Sequence, residues 1–311
     1  MREYLELRVK EAHAGLIFDA NEGRRLSDYI RQIEIAVSDP RMSTIREVRQ
    51  RLSKEGEPLF FGWNIKRTYE KFEIEQAELF HLIVKTYFEP AGEECGTIYD
   101  ESASCQHVFH AGDLNIGDRE EHFTDSCGAG FTQLTDLFLD FRRIPKRADI
   151  ACSIAGEVVI AEQLALPLLD SGLTGFELNP VHDWNAEVKK SLNVANKERR
   201  KHRRQWRQLL ITTPGVSIMK ETRVGIDPFN LDNEGKYCCP FGHVAGLNVL
   251  SELTVSRIGY GGNDIFCTQE LFGVRRGLLR PRAAILISPR FFHFLEKRDV
   301  KGYRVEVAHF S

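Results

Sequence analysis

The chain matches itself at a fixed spacing, and this limits the folds open to it more than any other feature. Shifted by 127 positions without a gap, Val158-Val159-Ile160-Ala161 falls on Ile285-Leu286-Ile287-Ser288. In the same frame Leu164, Leu168, Leu173, Gly175, Phe176 and Leu178 fall on Phe291, Leu295, Val300, Gly302, Tyr303 and Val305. Upstream, Asp149-Ile150-Ala151-Cys152 resembles Asp264-Ile265-Phe266-Cys267, with about twelve more residues inside the second copy. Each copy predicts strand, helix, short turn and strand. Ser288-Pro289 is an N-cap with proline at the first helical position, and the apolar period changes from helical to alternating after Gly302. Chance likeness between two strand-helix-strand units is the alternative, and the ungapped run with a matching Asp-Ile-x-Cys favours two copies.

A strand-helix-strand unit leaves an apolar sheet face to cover, and packing two such units together covers both. The expected class is therefore α+β: duplicated strand-helix-strand modules packed as one core, with an N-terminal helical region and a cysteine-containing loop insertion. The expected segments are a mixed helical region over 1–90, an acidic cysteine-containing loop over 91–130 and a first α/β module over 131–185. A basic helix over 186–212 and a second α/β module over 213–311 follow. With 42% apolar and 28% charged residues the chain has the composition of a protein with a real core. Within the N-terminal region, one helix is predicted through Leu26, Tyr29, Ile30, Ile33 and Val37, and a second, capped by Ser43, through Ile45, Val48 and Leu52. The β-branched and aromatic run from Phe80 to Phe88, ending at Pro90, predicts a buried strand.

The net charge of −3 conceals opposed poles. Between Thr68 and Asp125 stand 14 acidic residues against Lys71, Lys85 and Arg119, a balance of −11; between Lys189 and Leu210 nine Lys and Arg face only Glu198, a balance of +8. The basic stretch predicts a long helix anchored by Leu192, Val194, Trp206, Leu209 and Leu210. Lys197, Arg199, Arg200, Lys201, Arg203, Arg204 and Arg207 would cover phosphates and Trp206 would stack on a base if the partner were nucleic acid. These residues go round the helix instead of forming a stripe, which favours a solvated or internally paired helix.

Seven cysteines, an odd number, argue against a closed disulfide framework and for reduced thiols or a metal site. Cys95-Gly96, Cys105 and Cys127-Gly128 fall in the acidic loop segment, and Tyr237-Cys238-Cys239-Pro240-Phe241-Gly242-His243 supplies more thiolates and an imidazole. Tetrahedral zinc takes four such ligands, and glycine after a ligating cysteine lets the backbone turn tightly. The best set is Cys95, Cys105 and Cys127 with one of Cys239 or His243; His107, His110 and His122 compete for the fourth place. A zinc ion held this way would be structural. Buried small hydrophobes are the alternative for all of these cysteines, and Cys152 and Cys267, at matching strand positions, read as core.

Catalytic templates are absent: no phosphate loop with its Lys-Ser or Lys-Thr, no His-Glu-x-x-His, no Gly-x-Ser-x-Gly. Gly259-Tyr260-Gly261-Gly262-Asn263-Asp264 reads as a turn before a strand. A Cys127 thiolate with His122 as base lacks a visible third group, and the acidity of its segment opposes a low thiol pKa. No stretch is long and apolar enough for a membrane span and no signal-peptide core follows Met1, so the expected address is the cytoplasm.

Gly92-Glu93-Glu94-Cys95-Gly96-Thr97 with Cys127-Gly128, the stretch containing Gly172-Leu173-Thr174-Gly175-Phe176-Glu177-Leu178, and the run from Ala284 through Val307 resemble bacterial immunity proteins of polymorphic-toxin systems, related to the double-CxxCG motif family. Where that pattern has the first cysteine of each pair, this chain has Gly92 and Thr124. The resemblance implies a cytoplasmic, non-catalytic protein that binds and silences a cognate toxin protein. Toxins that act on nucleic acid carry basic clefts, so Glu93, Glu94, Asp100, Glu101, Asp118, Glu120 and Glu121 are the expected toxin-facing residues. Pairing of these carboxylates with the basic helix is the competing expectation, and a nucleic-acid-binding accessory protein is the competing function.

Overall fold

A computed structural model describes residues 1–109, 125–191 and 204–311. The described residues form two compact units. The first comprises Met1–Gln76 with Asp227–Leu231, and the second takes in the others from Ala77 onward.

The first unit is built on a sheet. Strands β1 (Arg2–Lys10), β2 (Arg24–Arg25), β3 (Ile30–Ala36) and β4 (Phe60–Thr68) pair antiparallel in the order β2-β3-β1-β4, with helices α1 (Glu11–Ala14), α2 (Met42–Lys54) and α3 (Lys71–Gln76). Leu5 and Leu7 on β1 face Ile35 and Ile33 on β3, and all four are buried. The expected second helix is α2, with Ile45, Val48 and Leu52 on its buried side. The expected first helix is corrected: Ile30 to Ala36 is β3. Its buried face is Arg31, Ile33 and Ile35, and the arginine breaks the apolar alternation that marks a strand. Arg31 is buried because its guanidinium pairs with Glu11, whose carboxyl Arg31 and Arg25 hold down at about 2.

The second unit contains, in chain order, β5 (Leu79–Val84), β6 (Tyr87–Phe88), β7 (Tyr99–Asp100), β8 (Thr132–Gln133), β9 (Leu137–Leu139), β10 (Ile150–Ser153), β11 (Val158–Ala161), α4 (Glu162–Leu169), β12 (Phe176–Asp183), α5 (Trp184–Ser191) and β13 (Trp206–Ile211). After these come β14 (Val224–Asp227, its last residue in the first unit), β16 (Asn248–Val249), β17 (Leu253–Val255), β18 (Ile265–Phe272), β19 (Arg282–Ile287), α6 (Pro289–Lys297) and β20 (Tyr303–Phe310), while β15 (Asn230–Leu231), between β14 and β16 in chain order, falls in the first unit. With sheet predominating and helices present in both units, the chain is α+β.

Two sheets of this unit share one plan. One runs β6-β10-β11-β13-β12-β9 and the other β17-β20-β5-β19-β18. Taken from the hairpin outward, β10-β11-β13-β12-β9 corresponds to β18-β19-β5-β20-β17. In both, the hairpin is antiparallel, the central strand is antiparallel to its two neighbours, and the last pair is parallel. The registers correspond as well. Val159 faces Gln208 as Leu286 faces His81, Leu178 faces Leu209 as Val305 faces Leu82, and Val181 faces Leu137 as Ala308 faces Leu253. The shift of 127 positions thus also carries β5 onto β13, Leu82 onto Leu209. The apolar cores follow suit: Leu137, Val159 and Trp206 lie in one cluster, and their counterparts Leu253, Leu286 and Leu79 in the other.

The central strands are exchanged. In sequence β5 precedes the first hairpin, yet it lies between β19 and β20; β13 precedes the second hairpin, yet it lies between β11 and β12. The turns before β12 and β20 dock reciprocally. Asp149 N and Ile150 N donate to the Lys301 carbonyl at 2.8 and 3.1 Å, and Asp264 N and Ile265 N donate to the Thr174 carbonyl, both at 3.1 Å. Ser288 caps α6 by accepting from Phe291 N, with Pro289 at its start, whereas Ala161 gives α4 no side-chain cap.

The expected basic helix is corrected at its C-terminal end, where Trp206 to Ile211 is the central strand β13; α5 is described to Ser191, and residues 192–203 lie outside the described residues. Trp206-x-x-Leu209-Leu210 beside a basic stretch mimics the apolar side of a helix.

Candidate metal centre

Four ligand groups converge in the second unit: Cys105, Cys127, Cys239 and His243, all with ligand atoms within 4.8 Å of one another. Cys105 Sγ lies 3.8 Å from Cys239 Sγ, and His243 Nδ1 lies 3.8 Å from both Cys127 Sγ and Cys239 Sγ. Zinc–sulfur bonds of about 2.3 Å at the tetrahedral angle give an edge of about 3.8 Å, so the spacing fits a single tetrahedral ion.

Local backbone explains the convergence. Residues 105–109 run antiparallel to 125–129, with Cys127 N donating to the His107 carbonyl at 2.8 Å and Gly128 N to the Cys105 carbonyl at 2.9 Å. On the other side Cys239-Pro240-Phe241-Gly242 makes a tight turn, with Gly242 N donating to the Cys239 carbonyl at 2.8 Å and Gly242 at φ 78°. That conformation costs glycine nothing, which is why it stands there. Beneath the ligands Phe109, Ala129 and Val244 form a small apolar core with Leu271 and Val274 packed on it. Cys127 and Cys239 are buried and His243 is exposed, so the centre sits at the surface with its thiolates inward.

Desolvation pushes the Cys127 thiol up to about 12, against a backbone N–H from Ala129. Cys239 is desolvated too, but the backbone N–H groups of Phe241 and His243 bring it below the ordinary thiol value. A divalent ion supplies the charge that makes clustered thiolates tolerable.

Cys95, expected as a ligand, is elsewhere. It ends a single 3-10 turn, Glu93–Cys95, is 1% exposed, and burial lifts its thiol to about 11. Cys239 and His243 both join the cluster, where the sequence predicts only one of them. Of the competing histidines, His107 contributes its backbone carbonyl to the centre, and His110 and His122 lie outside the described residues. Cys152 is buried in its sheet as expected, and Cys267 is partly buried on β18.

The expected toxin-facing carboxylates are largely engaged within the molecule. Arg280, 4% exposed, donates to Glu93 at 2.8 Å and to Glu101 at 2.9 Å, and its guanidinium lies 4.2 Å from the Tyr99 ring centroid. Arg275 also pairs with Glu101, and Arg276 with the buried Asp125. Glu94 accepts from Ala91 N and Asp100 from Ser102 N; Asp118, Glu120 and Glu121 lie outside the described residues. Glu93 and Glu101 thus pair internally with arginines before β19, and residues 192–203 of the basic stretch lie outside the described residues. The sequence signal for this pairing is Arg275-Arg276 and Arg280-Pro281-Arg282, a second basic group.

The nucleic-acid set is divided. Lys197, Arg199, Arg200, Lys201 and Arg203 lie outside the described residues. Trp206 is 3% exposed, so its ring has no free face for a base. Arg204 bonds the carbonyls of Lys146 and Ala148 and pairs with Asp149, while Arg207 pairs with Glu162 at 2.7 Å. Among the described residues no helix is long and apolar enough to cross a membrane. No protein-family model and no curated protein matches the chain.

Proposed function

We propose that this is a non-catalytic binding protein, an immunity protein whose partner is a bacterial toxin protein, and that Cys105, Cys127, Cys239 and His243 hold a structural zinc ion. The observation that carries the metal reading is a tetrahedral set closed by four protein groups. Catalytic zinc keeps a position open for water or substrate, and this set leaves none. Clustered thiols at a surface also fit the cytoplasm, where they stay reduced.

The toxin-binding part draws on the sequence resemblance and on the absence of catalytic templates. We also infer that the two sheets are copies of one duplicated module, a reading supported by their matching registers. A nucleic-acid-binding role draws only on the stretch 197–203, because Trp206, Arg204 and Arg207 are used inside the fold.

Two measurements test the proposal. Elemental analysis of the purified chain is expected to give one zinc per molecule, with native thiols at the four positions protected from titration until a chelator is added. Co-expression with the toxin encoded beside it is expected to restore growth; sustained killing in cells holding folded, zinc-loaded protein would remove the immunity reading and leave the metal reading standing.

A further inference from the structure

The correspondence between the two halves of the second unit extends beyond the large sheets into the loops that carry the metal ligands. Strand β7 pairs with β8 as β14 pairs with β16: Tyr99 faces Gln133 and Asp100 faces Thr132, as Val224 faces Val249 and Gly225 faces Asn248. Thr97 Oγ1 accepts from Phe138 N and Thr222 Oγ1 accepts from Thr254 N, each at 2.9 Å. Leu134 N donates to the Ile98 carbonyl at 2.9 Å and Leu250 N to the Arg223 carbonyl at 2.8 Å. A single shift of 116 positions carries Phe138 onto Thr254, Leu134 onto Leu250 and β8 onto β16.

Continued toward the metal centre without a gap, that shift carries Gly130 onto Gly246, both at positive φ (93° and 66°), Ala129 onto Ala245, and Cys127 onto His243. Each of these two ligands has a thiol companion tied to the residue after it. Gly128 N donates to the Cys105 carbonyl at 2.9 Å, and Cys239 N donates to the Val244 carbonyl at 3.0 Å; Gly128 and Val244 are themselves 116 positions apart. The two halves meet at Cys105–Cys239 and at Cys127–His243, both at 3.8 Å, the same spacing as Cys239–His243 within one half.

We propose that the centre is one metal site made of two equivalent two-ligand halves, Cys105 with Cys127 and Cys239 with His243, in which positions 127 and 243 are interchangeable corners. The site takes a tetrahedral divalent ion that accepts thiolate and imidazole alike, zinc or cobalt, because either donor at either corner preserves the geometry. Its task is to clasp the two halves of the unit together through their loops. Cys238, adjacent to a ligand but exposed and 3.9 Å from Asp232 Oδ2, is outside the site. The inference rests on the zinc reading above.

The test uses the full chain, stripped of metal and titrated with cobalt(II), whose thiolate charge-transfer absorbance scales with the number of sulfur ligands. The parent, His243→Cys, Cys127→His and the double exchange C127H/H243C are compared. Each is expected to bind one cobalt per chain, with charge-transfer intensities standing at about 3:4:2:3 for that order of variants. A parent that binds no metal overturns the zinc reading itself. A parent that binds while folded His243→Cys does not, or a double exchange that binds more weakly than both single variants, overturns the equivalence. Position 243 is exposed, so if Cys127→His fails to fold, His243→Cys alone decides.

Discussion

A Cβ placed on Gly175 would lie 2.0 Å from the carbonyl oxygen of Ile265, and one placed on Gly302 would lie 2.0 Å from the carbonyl oxygen of Ile150. The two contacts are reciprocal: each half of the second unit presses a glycine turn against the first hairpin strand of the other. Both glycines also stand at positive φ, 103° and 106°. Gly175→Ala and Gly302→Ala should therefore each cost on the order of 3 kcal/mol, combining left-handed strain with overpacking against backbone that cannot retreat. Gly259→Ala, at φ 85° with open space around it, should cost only about 1 kcal/mol. Urea titrations of the three variants check this, and equal losses in all three would mean the close approach contributes nothing.

Metal retention separates Cys95 from the ligands. Cys95→Ala should lower stability by about 1 kcal/mol through lost packing and leave zinc content at the parent level, whereas Cys239→Ala should abolish stoichiometric zinc. Zinc loss in Cys95→Ala would return that residue to the ligand set.

Trp206 is a core residue, and its removal should show it. Trp206→Ala is expected to destabilise by about 3–5 kcal/mol, read from the unfolding midpoint, because the ring fills the cluster with Val159 and Leu137. A folded Trp206→Ala protein of near-parent stability would contradict its burial.

Glu157 sets a pH dependence. Its side chain is buried; Oε1 accepts from Tyr99 Oη at 2.7 Å and from Gly92 N at 3.1 Å, and Oε2 has no partner. Desolvation pushes its carboxyl up, with those two donors and Arg280 opposing only in part. A carboxyl whose folded pKa is raised favours folding in its protonated form. Its contribution is fully present below the unfolded value near 4.5 and is lost as pH rises through the folded value. Glu157→Gln keeps the acceptor for Tyr99 and Gly92, so it should be more stable than the parent at pH 8, with the gap closing by pH 4. A gap that does not change with pH would show that Glu157 titrates normally.

The sequence showed helix α6 clearly, because Ser288-Pro289 is a cap with a mechanism and Phe291, Phe292 and Leu295 recur at helical spacing. Strand β3 was hidden by Arg31, a charged residue on the buried face whose partner Glu11 lies 20 positions away. The equivalence of β5 and β13 was hidden by two unlike readings, a strand for Phe80–Phe88 and a helix end for Trp206–Leu210, although the shift of 127 joins them. Three of the four metal corners follow from residue type. That Cys239 and His243 both join the cluster, and Cys95 does not, depends on a contact between loops more than 100 residues apart, which no local spacing encodes.

The exchange of central strands bears on how the chain is made. Strand β5 leaves the ribosome as Leu-Phe-His-Leu-Ile-Val, apolar and ready to pair, but its neighbours β19 and β20 follow roughly 200 residues later, about 10–40 s at ordinary elongation rates. Until β19 emerges it has neither of its sheet neighbours, and until β13 emerges β10 and β11 lack their central strand. A nascent chain in this state can close its sheets only by waiting, or by borrowing the strand from a second nascent chain on the same message. Slowed translation between residues 84 and 282 should therefore raise the yield of chain-exchanged dimers, detectable by gel filtration of freshly synthesised protein.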